Sequence, residues 1–164
     1  MIDQTIHGAM EQKIYQEIYA GPKLATSRSY HDRLQHRLIE LGSKLNFVAV
    51  GEHPVPWRAG NRRGRIDVFW YGHTRLLPVA IEIDSTWKLK SLDKLTRMTE
   101  TARSIWIYYG HEPIRFVPPG SCAAKVNIFR ADFKRLFERP IRPRPPLELN
   151  ENDMADLHSF LSQD

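Results

Sequence analysis

Apolar positions change period several times along this chain, and each change predicts an element. Ile6, Met10, Ile14 and Ile18 recur every four residues, the stripe of an amphipathic helix over 3–20 that Gly21-Pro22 ends. Tyr15 and Tyr19 widen its apolar face. Ser27 or Ser29 caps a second helix, with Tyr30, Leu34, Leu38 and Leu41 as its buried face and Gly42 as its stop. Residues 46–50 read as a first strand. From Gly64 the period drops to two. Ile66, Val68 and Trp70 alternate with Asp67, Phe69 and Tyr71, and Val79, Ile81 and Ile83 alternate with Ala80, Glu82 and Asp84. These are two strands joined around Gly72-His73. Helical spacing returns over 88–103, with Leu89, Leu92, Leu95 and Met98 inward and Lys88, Lys90, Lys94 and Arg97 outward. Residues 104–109, SIWIYY, are β-branched and aromatic without alternation, as in a strand buried on both faces.

The resulting order, α, β, β, β, α, β, predicts an α/β fold with an N-terminal helix added. Further strands over 113–117 and 125–129, around Pro118-Pro119-Gly120, and a short helix over 131–139 burying Phe133, Leu136 and Phe137 extend it. At 164 residues the chain carries one core rather than two. Residues 1–139 are read as that domain. Residues 140–164 are read as a proline-rich linker, with Arg142 and Arg144 on it, and an acidic C-terminal helix from about 151 to 161 that buries Met154, Leu157, Phe160 and Leu161.

Charge sharpens the picture. The net charge is +5, yet residues 146–164 hold Glu148, Glu151, Asp153, Asp156 and Asp164 and no Lys or Arg. That segment contributes −5, so the body carries +10. A body this basic suits a polyanion, and nucleic acid is the commonest one in the cytoplasm. The loop read over 53–65 concentrates the charge: Arg58, Arg62, Arg63 and Arg65 accompany Trp57. Guanidinium groups match phosphate oxygens, and an indole stacks on exposed bases. Lys94 adds to the same surface. No apolar run is long enough to cross a bilayer and the N-terminus lacks signal-peptide character, so a cytoplasmic location with no membrane contact is expected. The single Cys122 offers neither an internal disulfide nor a zinc framework.

The chemistry lies in the alternating strands. Their parity puts Glu82 and Asp84 on one face, and antiparallel pairing brings Asp67 beside them. Three carboxylates then converge. Their repulsion is relieved by a divalent cation, by protonation or by basic partners.

The runs G-R-I-D-V (64–68) and A-I-E-I-D (80–84), in this element order, resemble the core of the PD-(D/E)xK nuclease superfamily, the restriction-endonuclease-like fold. The resemblance covers roughly residues 28–110 and implies a restriction-endonuclease-like core, a central mixed sheet flanked by helices. It implies that Asp67 and Glu82 bind magnesium or manganese, with Asp84 as a further ligand or an orienter of water. Asp84 departs from the family pattern, which most often has lysine there. Lys90, then Lys88, is the first choice for a migrated lysine, and Lys94 is also placed to supply it. Some members add an acid from the preceding helix, which implies Glu40. The implied function is a magnesium-dependent endonuclease hydrolysing phosphodiesters, most naturally in DNA. A catalytically inactive module of the same fold, binding nucleic acid or protein, is the alternative, and an assembly module built on the terminal helices is a third. The stripe of the first helix also permits a homodimer.

Overall fold

Thr26 starts the helix on which the site is built. Its hydroxyl accepts from the Ser29 N–H, so it replaces Ser27 and Ser29 as the cap. The computed structural model describes residues 2–59, 62–72, 76–112 and 125–138, without the side chains of 2–7, 56–59, 62 and 63. In chain order these form α1 (Ile2–Tyr19), α2 (Ser27–Lys44), β1 (Val48–Ala59), β2 (Arg62–Tyr71), β3 (Val79–Asp84), α3 (Leu89–Met98), β4 (Arg103–Tyr108), β5 (Asn127–Arg130) and α4 (Phe133–Leu136). The strand expected over 113–117, Cys122, and the linker and acidic helix over 140–164 lie outside the described residues.

The strands form one five-stranded sheet in sequence order. β1, β2 and β3 pair antiparallel, and β3, β4 and β5 pair parallel. The fold is therefore α/β with a mixed sheet flanked by helices. One core fills the space between the sheet and α1 and α2, where Ile14, Ile18, Leu34 and Leu38 meet Val68, Trp70, Ile81 and Ile105. The second packs Leu92, Leu95 and Met98 of α3 onto Phe69, Ala80 and Trp106. β3 and β4 thus have both faces covered, which is why they read as continuous apolar runs.

Several expectations change. α2 runs through Gly42 and closes beyond it, where Asn46 adopts φ 66°, a left-handed conformation that asparagine tolerates. Gly42 serves packing instead: a Cβ there would stand 2.6 Å from Trp70 Nε1, whose N–H donates to the Leu38 carbonyl. Within the 53–65 stretch, residues 53–59 and 62–65 are strand rather than loop. These parts of β1 and β2 pair as a ribbon, with Arg58 opposite Arg63 and Ala59 opposite Arg62. α3 ends at Met98, because β4 already begins at Arg103. Leu89 is only half-buried and Ser91 takes the inward place. Phe137 lies past the end of α4, bridging to Leu24. Met10, Ile14 and Ile18 of α1 are buried within this chain, so the described part of the stripe offers no dimer face. Tyr15 stays exposed.

Candidate functional site

The β2–β3 ladder ends at Val68–Ile81, which leaves the Ile83 N–H without a strand partner. Asp67 supplies one: its Oδ2 accepts that hydrogen bond at 2.8 Å. The backbone beside Asp67 is distorted as well. Between the Gly51–Val68 and His53–Ile66 pairs, Glu52 stands at φ 53°. Gln35 of α2 completes the gap by donating to the Asp67 carbonyl at 2.8 Å and to Glu52 Oε1 at 3.2 Å. A non-glycine residue in this conformation costs on the order of 1–3 kcal/mol. The distortion lies directly beside a candidate functional acid.

Glu82 and Asp84 follow on β3, paired with Trp106 and Tyr108 of β4 and pointing to the α3 side. Both are buried, at 2% and 3% exposure. The Glu82 carboxyl is pushed up to about 8 by burial and by the like charge of Asp67, with Lys94 acting against them. Lys94 Nζ donates to Glu82 Oε1 at 2.7 Å and to the Arg65 carbonyl at 2.6 Å. Asp84 accepts from the Trp106 indole at 3.1 Å and from Lys88 Nζ at 2.6 Å. Burial acts to lower Lys88, but its bond to Asp84 and the charges of all three acids hold it above the ordinary lysine value.

These groups line one cleft of about 320 Å³ containing Asp67, Glu82, Asp84, Lys88, Lys90 and Lys94. Its donors are carboxylate oxygens, the chemistry of a hard cation. Among the described residues no three His, Cys, Asp or Glu side chains are arranged to hold a single metal. Asp67 is turned to the Ile83 amide and His31, Glu82 to Lys94, and Asp84 to Lys88 and Trp106.

The lysines and the helix acid also move. Lys90 borders the cleft without a carboxylate partner among the described residues, whereas Lys88 and Lys94 each hold one. Lys94 was expected outward, but its flexible stem carries the ammonium back over the edge of α3. Glu40 is exposed and absent from the cleft. The α2 residue that reaches the Asp67 carboxylate is His31, roughly 13 Å earlier than Glu40 along the helix axis at 1.5 Å per residue. His31 Nε2 lies 3.4 Å from Asp67 Oδ2, and that contact raises the imidazole above its usual value against the effect of burial. Tyr109 closes the floor, its hydroxyl donating to the Ser27 carbonyl. Burial pushes its phenol up to about 12.

His31, Gln35 and Tyr109 have no distinctive spacing as ligands in the sequence. Their one signal is position, with His31 and Gln35 one turn apart beside the Tyr30–Leu34–Leu38 stripe. Of the arginines, Arg65 is exposed and 3.8 Å from Glu52, while Arg58, Arg62 and Arg63 are placed by backbone on the ribbon. Among the described residues no helix is long and apolar enough to cross a membrane. In comparison with known proteins, the chain matches no family model, no curated protein and no solved structure.

Proposed function

We propose that the chain is a metal-dependent nuclease of the PD-(D/E)xK, restriction-endonuclease-like type, hydrolysing phosphodiester bonds in DNA. The observation that carries this reading is Glu82, a carboxyl buried beside Asp67 at an electrostatic cost, in a cleft that also holds Asp84 and three lysines. Acid crowding of this kind is what a hard cation relieves. Asp67 and Glu82 would hold magnesium or manganese, with Asp84 as a further ligand or the group that orients the attacking water. Such an ion supplies a lowered water pKa and neutralises phosphate charge.

The chain's own groups supply the rest. Lys94 and Lys88, rather than Lys90, are positioned to stabilise negative charge developing on the phosphoryl oxygens once a cation takes over their carboxylates. His31 positions Asp67. The basic ribbon carrying Arg58, Arg62, Arg63 and Arg65 binds the phosphate backbone outside the cleft. A cytoplasmic protein meeting DNA there fits this reading.

The ion pairs favour a second reading. Because Glu82 and Asp84 are each already paired with a lysine, a catalytically inactive module of the same fold would need no metal. Thermal melting in rising magnesium or manganese separates the two: a bound ion raises the melting temperature with concentration. Single-turnover cleavage of labelled DNA tests the nuclease itself. A wild-type protein that neither cuts nor responds to metal is the inactive module.

A further inference from the structure

A second cavity, of about 460 Å³, opens beyond the end of β4, bordered by Gly110 and His111 just as Tyr109 borders the acid cleft. Tyr109 and His111 are at most about 7 Å of extended chain apart, so the two openings are neighbours. The floor is aromatic. The exposed His111 ring lies 3.6 Å from that of Phe133, centroid to centroid, and Phe133 packs on Phe137 at 4.3 Å. The rim is basic: Lys23, Arg130 and Lys134 stand around it, all exposed. None of the three has an acidic partner within ion-pair distance among the described residues. Asp132 and Glu138 also border the cavity, so three cations face two acids. One Asp132 oxygen is already engaged by the Lys134 N–H.

An aromatic floor under a rim of unpaired cations is complementary to a group that is flat at one end and anionic at the other. Resting on the nuclease reading above, we infer that this cavity holds one unpaired nucleotide of the substrate, next to the phosphate to be cut. The base stacks on His111, and Arg130 and Lys134, with Lys23, take its phosphate. A base still paired in a duplex presents only its edge and cannot lie on the ring. The substrate class is therefore nucleic acid with an unpaired nucleotide beside the scissile position: a single strand, a flap or a branch.

The test measures binding of a labelled single strand and of a fully paired duplex by anisotropy in EDTA over a range of salt, with cleavage in magnesium alongside. Wild type, His111→Ala and the double variant Arg130→Ala/Lys134→Ala are compared. All three positions are exposed, and unchanged melting temperatures verify the fold. His111→Ala should weaken single-strand binding about 5- to 150-fold, at unchanged salt slope, and leave the duplex nearly unaffected. The double variant should lower the single-strand salt slope by up to about 0.7, the value for one phosphate contact. If wild type cuts and both variants bind like it, the subsite is wrong and the nuclease reading stands. If the variants behave as expected but magnesium produces no cleavage, the subsite stands as a nucleic-acid contact and the nuclease reading fails. A wild type that binds neither probe overturns both.

Discussion

Replacing Glu82 by glutamine distinguishes two descriptions of the buried acid by the sign of the effect. The carboxyl rises on folding from its ordinary 4.5 to about 8. At about 1.4 kcal/mol per unit, keeping it ionised in the folded protein costs on the order of 3–5 kcal/mol. The folded state holds this proton more tightly than the unfolded chain does. The stabilising contribution is therefore full below pH 4.5 and is lost as the pH climbs to 8. Glutamine keeps the shape and an acceptor for Lys94 but does not titrate. At pH 8.5 without metal, Glu82→Gln should be more stable than wild type by on the order of 3–5 kcal/mol, while at pH 4 the two should agree within about 1 kcal/mol. If attraction to Lys94 outweighed burial, breaking the pair would instead cost about 3–5 kcal/mol. Urea unfolding followed by tryptophan fluorescence from pH 4 to 9 in EDTA reads the difference. With a slope of about 2 kcal/mol/M, the midpoints should separate by roughly 1.5–2.5 M at high pH. A wild type more stable than the variant at pH 8.5 would refute the reasoning.

Three other outcomes can be measured. Gly42→Ala should destabilise by about 1–3 kcal/mol, although helix propensity alone favours alanine by nearly 1, because the new Cβ meets Trp70 and Ala49 at under 3 Å; a raised melting temperature would remove the packing role. His31 should titrate above the ordinary histidine value in an NMR pH series and fall back in Asp67→Asn, since Asp67 is what lifts it. Its stabilising effect is then full below pH 6.5 and lost as pH rises through the folded value, and a wild-type midpoint at or below 6.5 contradicts the contact. Replacing Arg62 and Arg63 by alanine should lower the salt slope of duplex DNA binding by roughly 1.8, at 0.9 per phosphate contact; an unchanged slope takes the ribbon out of the interface.

Patterns with a local cause were readable in the sequence. Alternation in 66–71 and 79–84 placed β2 and β3 and put Glu82 and Asp84 on one face, because strand period depends only on the pleat. Continuous apolarity marked β4 as buried on both faces. What escaped depends on tertiary contact. Gly42 looks like a stop until Trp70 is found pressed against it. Residues 53–65 read as a loop, yet Pro54 and Pro56 lie on the edge strand β1 and Gly64 on β2. Lys94 sits on what helical periodicity calls the outer face, and only its reach to Glu82 reveals it as part of the site. His31 replaces Glu40 because α2 brings its first turns, rather than its last, to Asp67.

The most direct test is single-turnover cleavage of a labelled duplex and a branched DNA in magnesium and in manganese. Wild type is run beside Asp67→Asn, Glu82→Gln and Lys94→Ala. Wild type should cut at least one substrate. The two acid variants should lose cleavage by at least 100-fold together with the metal-induced rise in melting temperature. Lys94→Ala should keep that rise and lose rate, since its ammonium acts on charge that appears in the transition state. Cleavage that survives unchanged in both Asp67→Asn and Glu82→Gln, or a wild type inert toward both DNAs and both metals, would contradict the assignment of this cleft as a nuclease site.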